Sequence, residues 1–480
     1  MSLTSKSLFA TIWTLIDVFF NKAIYFIATL ILARLLGPKD FGIISMIMVF
    51  FTIGTTLIDS GLSISIIRTN SISQKEYSTI FYLNLGLSFL AYVIIFLSAP
   101  LISNFYNQEI LIQLIRVYCL GFIITSLRMV HQSILIKEMD FKKITLLNIP
   151  GNFIGLCVGV FLAINNYGVW SIVGLFLSTQ ITATITYWIF YNWRPSIVFS
   201  TDCMKTHWKF GYKLMISAQI NTIFENIYNI LIGKFYSVQT LGYYERAYTL
   251  NNYPISILSL IISKVSLPLF SQILDDKEKL GEVYKKIILM AFYITAPIML
   301  GALVLAKPLF ELVLGKQWLQ AVPLFQILCL SYMLYPIHSL NINILTAFGK
   351  SSLFLKLEIY KKIVLVILVV IGVNFGIYGL VWSSVLSSII SLFINTYYSG
   401  HLISYTIINQ LKDLLPTLIM SMIMASITYL LNYKLTDYAL ILQLFVPGFI
   451  GFLTYIFMSK ITNNISYINA VTLINKQYFK

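Results

Sequence analysis

Ser217, Asn221, Glu225, Asn229 and Gly233 recur every four positions through an otherwise apolar stretch of a 480-residue chain. At 3.6 residues per helical turn this spacing winds slowly round one side of a helix and sets a carboxylate near its middle. An earlier stretch carries Thr14, Asp17 and Asn21. Such side chains either hydrogen-bond neighbouring helices together or line a watered path where a carboxylate exchanges a proton or cation. For the polar stripe of Asn21, Asn221 and Asn229 both readings stand. For Glu225 a watered cavity is the better account, because a lone carboxylate buried in hydrocarbon would sit protonated. Asp17 and Asp59 are the other ion-coupling candidates.

Cations form a second set. Arg128 has His131 and Gln132 at i+3 and i+4, and Arg116 precedes it in the same apolar stretch. Arg246 and Lys264 are five turns apart, about 27 Å in a straight helix, with Pro254 between them to bend it. Lys22 and Arg34 add charge near the start. Arg34, Lys234 and Lys264 read best as snorkelling to the interface, and Arg116, Arg128 and Arg246 as facing a cavity. Cations outnumber carboxylates in or beside the apolar stretches, and Arg forks match phosphate oxygens. Arg246, Arg128, Arg116, Lys22 and Lys264 are therefore the candidates to hold an anionic headgroup with polar substituents. A hydrophobic drug cation fits them poorly. His338, with Asn341 at i+3, reads as a satisfied packing histidine.

These residues need elements that hold them in a membrane. With 58% hydrophobic and 11% charged residues and a mean hydropathy of +0.83, the chain has too little charge for a water-facing surface. Fourteen apolar runs are long enough to span, on the order of 20 residues each. They fall near 11–35, 41–67, 77–101, 111–136, 144–164, 168–191, 214–236, 242–270, 287–306, 322–347, 359–374, 376–399, 413–432 and 438–459. The expected fold is all-α and polytopic. Of 33 Lys and Arg residues, 22 fall in the loops on the side of the N-terminus and seven on the opposite side. The positive-inside rule then puts both termini in the cytoplasm and makes nucleic acid an unnecessary explanation for the net charge of +15. Cys119, Cys157, Cys203 and Cys329 form no C-x-x-C pair, which supports neither a metal nor a redox site. Gly349-Lys350-Ser351 lacks the first glycine of a phosphate loop, since Ile344 stands there. No cofactor is expected.

Two echoes point to duplication. The segment Ile31 to Gly42 matches Leu231 to Gly242 at an offset of 200, with Asn21 on Asn221, Arg34 on Lys234 and Gly42 on Gly242. Asn166-Tyr167-Gly168-Val169-Trp170 matches Asn374-Phe375-Gly376-Ile377-Tyr378 at an offset of 208. Both pair a hairpin with the one six spans later, so the halves share an orientation. The expected organisation is an N-terminal six-helix lobe over 1–200, a second over 201–400, and two further spans with a cytoplasmic tail over 401–480. Offset 200 places Tyr25 opposite Glu225 and Met46 opposite Arg246, so the scaffold repeats and the candidate chemistry does not.

The run Ala33 to Gly42 resembles the first turn of Wzx-like polysaccharide-repeat-unit flippases of the multidrug/oligosaccharidyl-lipid/polysaccharide exporter superfamily. Asp59-Ser60-Gly61-Leu62, Phe81-Tyr82-Leu83-Asn84, Trp193-Arg194-Pro195, Leu241 to Tyr248 with Pro254, Gly315-Lys316-Gln317-Trp318 and Ala347 to Lys350 also fit. The resemblance runs from about 9 to 400 and is closest to colanic-acid and O-antigen exporter-like members. It implies fourteen helices in a V-shaped pair of lobes in the bacterial inner membrane. It further implies alternating access that carries undecaprenyl-pyrophosphate-linked oligosaccharide to the periplasmic leaflet, driven by an ion gradient or the membrane potential, with Lys22 and Arg246 on the cavity wall. A polysaccharide polymerase and a chain-length regulator would be its partners, alongside membrane lipid. The alternatives are a multidrug or small-molecule antiporter of the same fold, which would need acidic walls, and a polysaccharide polymerase or ligase. The latter usually carries a sizeable outer loop, and every outer loop here is short.

Overall fold

The computed structural model describes residues 23–24, 26–59, 61–69 and 71–478; Asp17, Asn21, Lys22 and Tyr25 lie outside them. Every regular element among the described residues is a helix, and the contacts divide the chain into two compact units, one ending at Glu245 and the next beginning at Arg246.

In the first unit, α1 (Phe26–Leu35) leads to α2 (Pro38–Asp59), α3 (Leu62–Arg68), α4 (Gln74–Tyr106), α5 (Ile110–Tyr118) and α6 (Gly121–Lys137). Then come α7 (Phe141–Ile164), α8 (Trp170–Phe190), α9 (Thr201–Glu225), α10 (Ile227–Phe235) and the start of α11 (Val238–Gln272). Local chemistry sets these ends. Ser73 and Glu76 form a reciprocal capping box at α4. Asp140 accepts from the Lys143 N–H at α7, and Ser200 from the Cys203 N–H at α9. Leu62, Ile80, Phe81, Val130, Leu147 and Tyr187 build a core shared by α3, α4, α6, α7 and α8.

The second unit continues with α12 (Lys277–Val304), α13 (Ala306–Val313), a 3-10 turn (Lys316–Ala321), α14 (Val322–Tyr332) and α15 (Tyr335–Ala347). It ends with α16 (Ser351–Val373), α17 (Gly376–Leu402), α18 (Ile407–Lys434), α19 (Leu440–Ile461) and α20 (Ile465–Tyr478). Phe270, Tyr284, Ile288, Ile337, Ile344 and Leu414 form its core. Helix α19 attaches to α12 through Tyr293, whose hydroxyl donates to Ser459 Oγ at 2.9 Å, and Tyr455, whose hydroxyl donates to the Tyr293 carbonyl at 2.8 Å, and Met420 and Met424 of α18 join the same cluster.

Leu97, Phe161, Val370 and Phe449 are all more than 60% exposed. Side chains this apolar on the outside need hydrocarbon around them, and the protein is a polytopic membrane protein. Eleven of the described helical segments are long and apolar enough to cross, against fourteen expected. The three shortfalls have causes. Of the run 11–35 only Phe26–Leu35 counts as a described apolar helix. The run 214–236 falls on α9 and α10, which are interrupted at Asn226 and carry Lys205, Lys209 and Lys213 at the start. The run 359–374 falls on α16, whose first half holds Lys356, Glu358, Lys361 and Lys362. Helix α20 occupies a tail from which no helix was expected.

Both sequence echoes have a structural counterpart. A Cβ on Gly42 would sit 1.9 Å from the Val238 carbonyl oxygen, and one on Gly242 would sit 1.9 Å from the Pro38 carbonyl oxygen. Offset 200 maps Pro38 onto Val238 and Gly42 onto Gly242, so the first turns of α2 and α11 meet reciprocally and only glycine admits that approach. In the second echo, Gly168 and Gly376 both adopt positive φ, 54° and 72°, at matching places in their hairpins.

Candidate functional site

A polar seam joins α2 to α9 inside the first unit. Thr56 Oγ1 lies 3.2 Å from Thr222 Oγ1, and one turn away Asn226 Nδ2 donates to Thr52 Oγ1 at 3.5 Å. Towards the other end the seam opens into a cavity of about 500 Å³. Thr55, Thr56 and Asp59 of α2 line it, with Gly61, Ser63 and Ile64 at the start of α3. Met129, Gln132, Ser133 and Ile136 of α6 and Leu214, Met215 and Ala218 of α9 complete the wall. The i, i+3, i+4, i+7 spacing on α6 presents one face of that helix.

Three of the four lining hydroxyls, those other than Ser63, already have an acceptor for their proton. Thr55 and Thr56 donate to the Thr52 carbonyl at 3.0 and 2.9 Å, and Ser133 donates to the Met129 carbonyl at 2.9 Å. What they offer the cavity is oxygen lone pairs. Asp59 closes α2 and is oriented by the Ser63 N–H, which donates to Oδ1 at 3.4 Å. Among the described lining residues there is no Lys or Arg, so the cavity is an acceptor-rich site with one carboxylate and one amide.

Of the residues expected to carry chemistry, Asp59 is on this wall, and Gln132 joins it. Arg128 is not. Its Nη2 donates to Gln180 Oε1, and its guanidinium lies 6.0 Å from the Tyr187 ring centroid, so it ties α6 to α8. His131 turns the same way, its ring 5.3 Å from Trp188 and 4.9 Å from Trp193. The i, i+3, i+4 set is thus divided by the helix, with Arg128 and His131 towards α8 and the segment after it, and Gln132 on the cavity side. Arg116 stacks on Phe96 at 4.2 Å. Arg246 is buried and Lys264 is exposed, so the two cations on α11 occupy different surroundings.

The four-residue stripe is also altered. Ser217, Asn221 and Glu225 are exposed, while Gly233 is buried. The helix break at Asn226 interrupts their winding, and Glu225 ends α9 as an exposed group. Asn229 Nδ2 donates to Glu245 Oε2 at 3.5 Å; Glu245 had no role in the sequence reading. In the second unit, Lys361 and Glu358 form an ion pair one turn apart, both largely buried. Lys361 falls within the apolar run 359–374 and Glu358 just before it, and the sequence reading gave neither a role. The paired i, i+3 spacing was the signal available there. His338 Nε2 lies 3.0 Å from Ser388 Oγ, a packing contact. Among the described residues no group of His, Cys, Asp and Glu could hold a metal ion.

The family described as "Polysaccharide biosynthesis protein" matches residues 31–323, more than half of the chain. The lipopolysaccharide biosynthesis protein WzxC of Escherichia coli (strain K12) is 26% identical over 76% of this chain and 75% of its own length. The teichuronic acid biosynthesis protein TuaB of Bacillus subtilis (strain 168) is 27% identical over 62% of each chain. Among solved structures, the lipid II flippase MurJ in an inward closed conformation aligns with a TM-score of 0.75 at 19% identity, covering 94% of this chain and 98% of its own. An inward-facing multidrug resistance MATE family transporter aligns at 0.62 and 17% identity, covering 82% of this chain and 98% of its own. At these identities the structural likenesses establish the fold, which is that of the MurJ and MATE proteins.

Proposed function

The chain belongs to the polysaccharide biosynthesis proteins of the multidrug/oligosaccharidyl-lipid/polysaccharide exporter superfamily, and on that premise we propose that it flips undecaprenyl-pyrophosphate-linked oligosaccharide repeat units. Transport runs from the cytoplasmic to the periplasmic leaflet by ion-coupled alternating access. The observation that carries this reading is an oxygen-lined cavity with a carboxylate, held within a unit whose outer face is apolar. Membrane-embedded polar groups are costly, and a roomy cavity lined by them serves passage better than packing. The chemistry is transport, in keeping with relatives that are transporters.

In the full proposal the chain has fourteen spans as two parallel six-helix lobes, 1–200 and 201–400, plus two appended helices, and both termini are cytoplasmic. Arg246, with Arg128, Arg116, Lys22 and Lys264, receives the pyrophosphate during passage; Asp59, Asp17 and Glu225 are the ion-coupling carboxylates. A polymerase and a chain-length regulator act on the product. Arg246→Ala is expected to abolish surface polysaccharide at normal protein level, measured in the native host. Unchanged polymer would remove Arg246 from the mechanism.

One observation favours a second reading. A carboxylate without a lining cation also suits a cationic drug, as in an antiporter of this fold. Proteoliposomes separate the two: translocation of the lipid-linked oligosaccharide without ethidium export supports the flippase, and the reverse result supports the antiporter.

A further inference from the structure

We propose that the cavity between α2, α3, α6 and α9 takes the sugar portion of the substrate and excludes its pyrophosphate. This deepens the flippase reading and rests on it.

Three observations meet here. The first is polarity of hydrogen bonding. Thr55, Thr56 and Ser133 spend their protons on their own helices, and Asp59 is acceptor-only when ionised. Apart from the Ser63 hydroxyl and the Gln132 amide, the wall thus offers acceptors, so it favours a ligand rich in donors, which sugar hydroxyls supply and a pyrophosphate does not. Gln132, able to donate and accept, completes recognition of a hydroxyl pair. The second is charge. Asp59 repels a phosphate, and no described lining residue offsets it. The third is size and shape. About 500 Å³ lies within the range of roughly 300–1,000 Å³ typical of small-molecule sites. A dehydrated metal cation instead needs oxygens closed in to about 2.0–2.6 Å. The apolar wall of Met129, Ile136, Leu214 and Met215 suits the C–H faces of sugar rings, while the oxygens meet their edges.

The carbohydrate and the pyrophosphate are thus recognised by different chemistry: acceptors here, cations elsewhere on the chain. Sugar composition would then be selected in the first unit, through Asp59 and Gln132.

The test uses the full chain in lipid nanodiscs with two probes: bare undecaprenyl pyrophosphate, and the lipid-linked repeat unit extracted from the native host. Asp59→Asn and Gln132→Ala are each expected to weaken binding of the glycosylated probe about tenfold, the loss of a hydrogen bond to a charged or buried partner. Binding of the bare lipid should stay within about twofold of the parent chain, which also reports that the variants are folded. The oligosaccharide released from the lipid by mild acid should compete with the glycosylated probe in the parent chain. Equal weakening for both probes, or no weakening for either, overturns the sugar-site assignment while leaving the flippase reading in place. A parent chain that binds and translocates no glycosylated lipid overturns the flippase reading itself. Competition by ethidium but not by the released oligosaccharide assigns the cavity to cations.

Discussion

The cavity of the first unit and the Asn341 cluster of the second are made from the same kinds of side chain and do opposite things. In the cluster, Asn341 Oδ1 accepts from the Tyr284 hydroxyl at 2.8 Å and from the Ser399 hydroxyl, while its Nδ2 donates to the Ile337 carbonyl at 3.0 Å and to Thr396 Oγ1 at 3.5 Å. All four side chains are buried, and the amide's capacity is filled. In the cavity, Thr55, Asp59 and Gln132 face about 500 Å³ of open space. Polar groups inside a membrane protein are glue where their partners are protein, and a site where they are left to a ligand.

This contrast can be broken by substitution. The largest effect is expected for Asn341→Leu, which strands the Tyr284 and Ser399 hydroxyls without water. At about 1–3 kcal/mol per stranded group, the protein should lose several degrees of thermal stability in detergent and much of its folded yield. A variant as stable as the parent would mean that the cluster is not structural. A smaller effect is expected for Tyr284→Phe. Asn341 Oδ1 keeps Ser399 as a donor, so the loss should be about 0.5–1.5 kcal/mol, read as a modest shift in the same melt. The smallest belongs to Thr55→Val, which gives up a hydroxyl whose proton only returns to its own helix. Stability should stay within about 0.5 kcal/mol, while export of polysaccharide falls. A loss of stability as large as that of Tyr284→Phe would erase the distinction between the two regions.

The paired glycine turns show how far local sequence reaches. Their repetition at offset 200 was visible in the residues alone, because a close helix approach admits only glycine and leaves a recognisable mark. That Gly42 and Gly242 pack on each other's turns was not visible, since an echo records similarity and not contact. Likewise Asp59 was legible as a carboxylate within the apolar run 41–67, yet its cavity was not. Its walls come from α2, α3, α6 and α9, separated by up to about 160 residues of chain. Arg128 shows the reverse case. The cost of a cation in an apolar run is legible, but its payment by Gln180 on α8 is settled only by packing.

The sequence by itself determined the class of this protein: helical, multi-spanning and internally echoed. Those properties rest on composition and on periodicities along one chain, and the apolar excess leaves hydrocarbon as the only stable surroundings. Its kinship with the polysaccharide biosynthesis family rests instead on the resemblance of particular motifs and on the family match. Only the tertiary structure decided which polar residues meet protein and which meet open space. That depends on the rotation of each helix against neighbours distant in sequence. A turn of one residue on α6 separates Arg128, bonded to α8, from Met129 on the cavity wall.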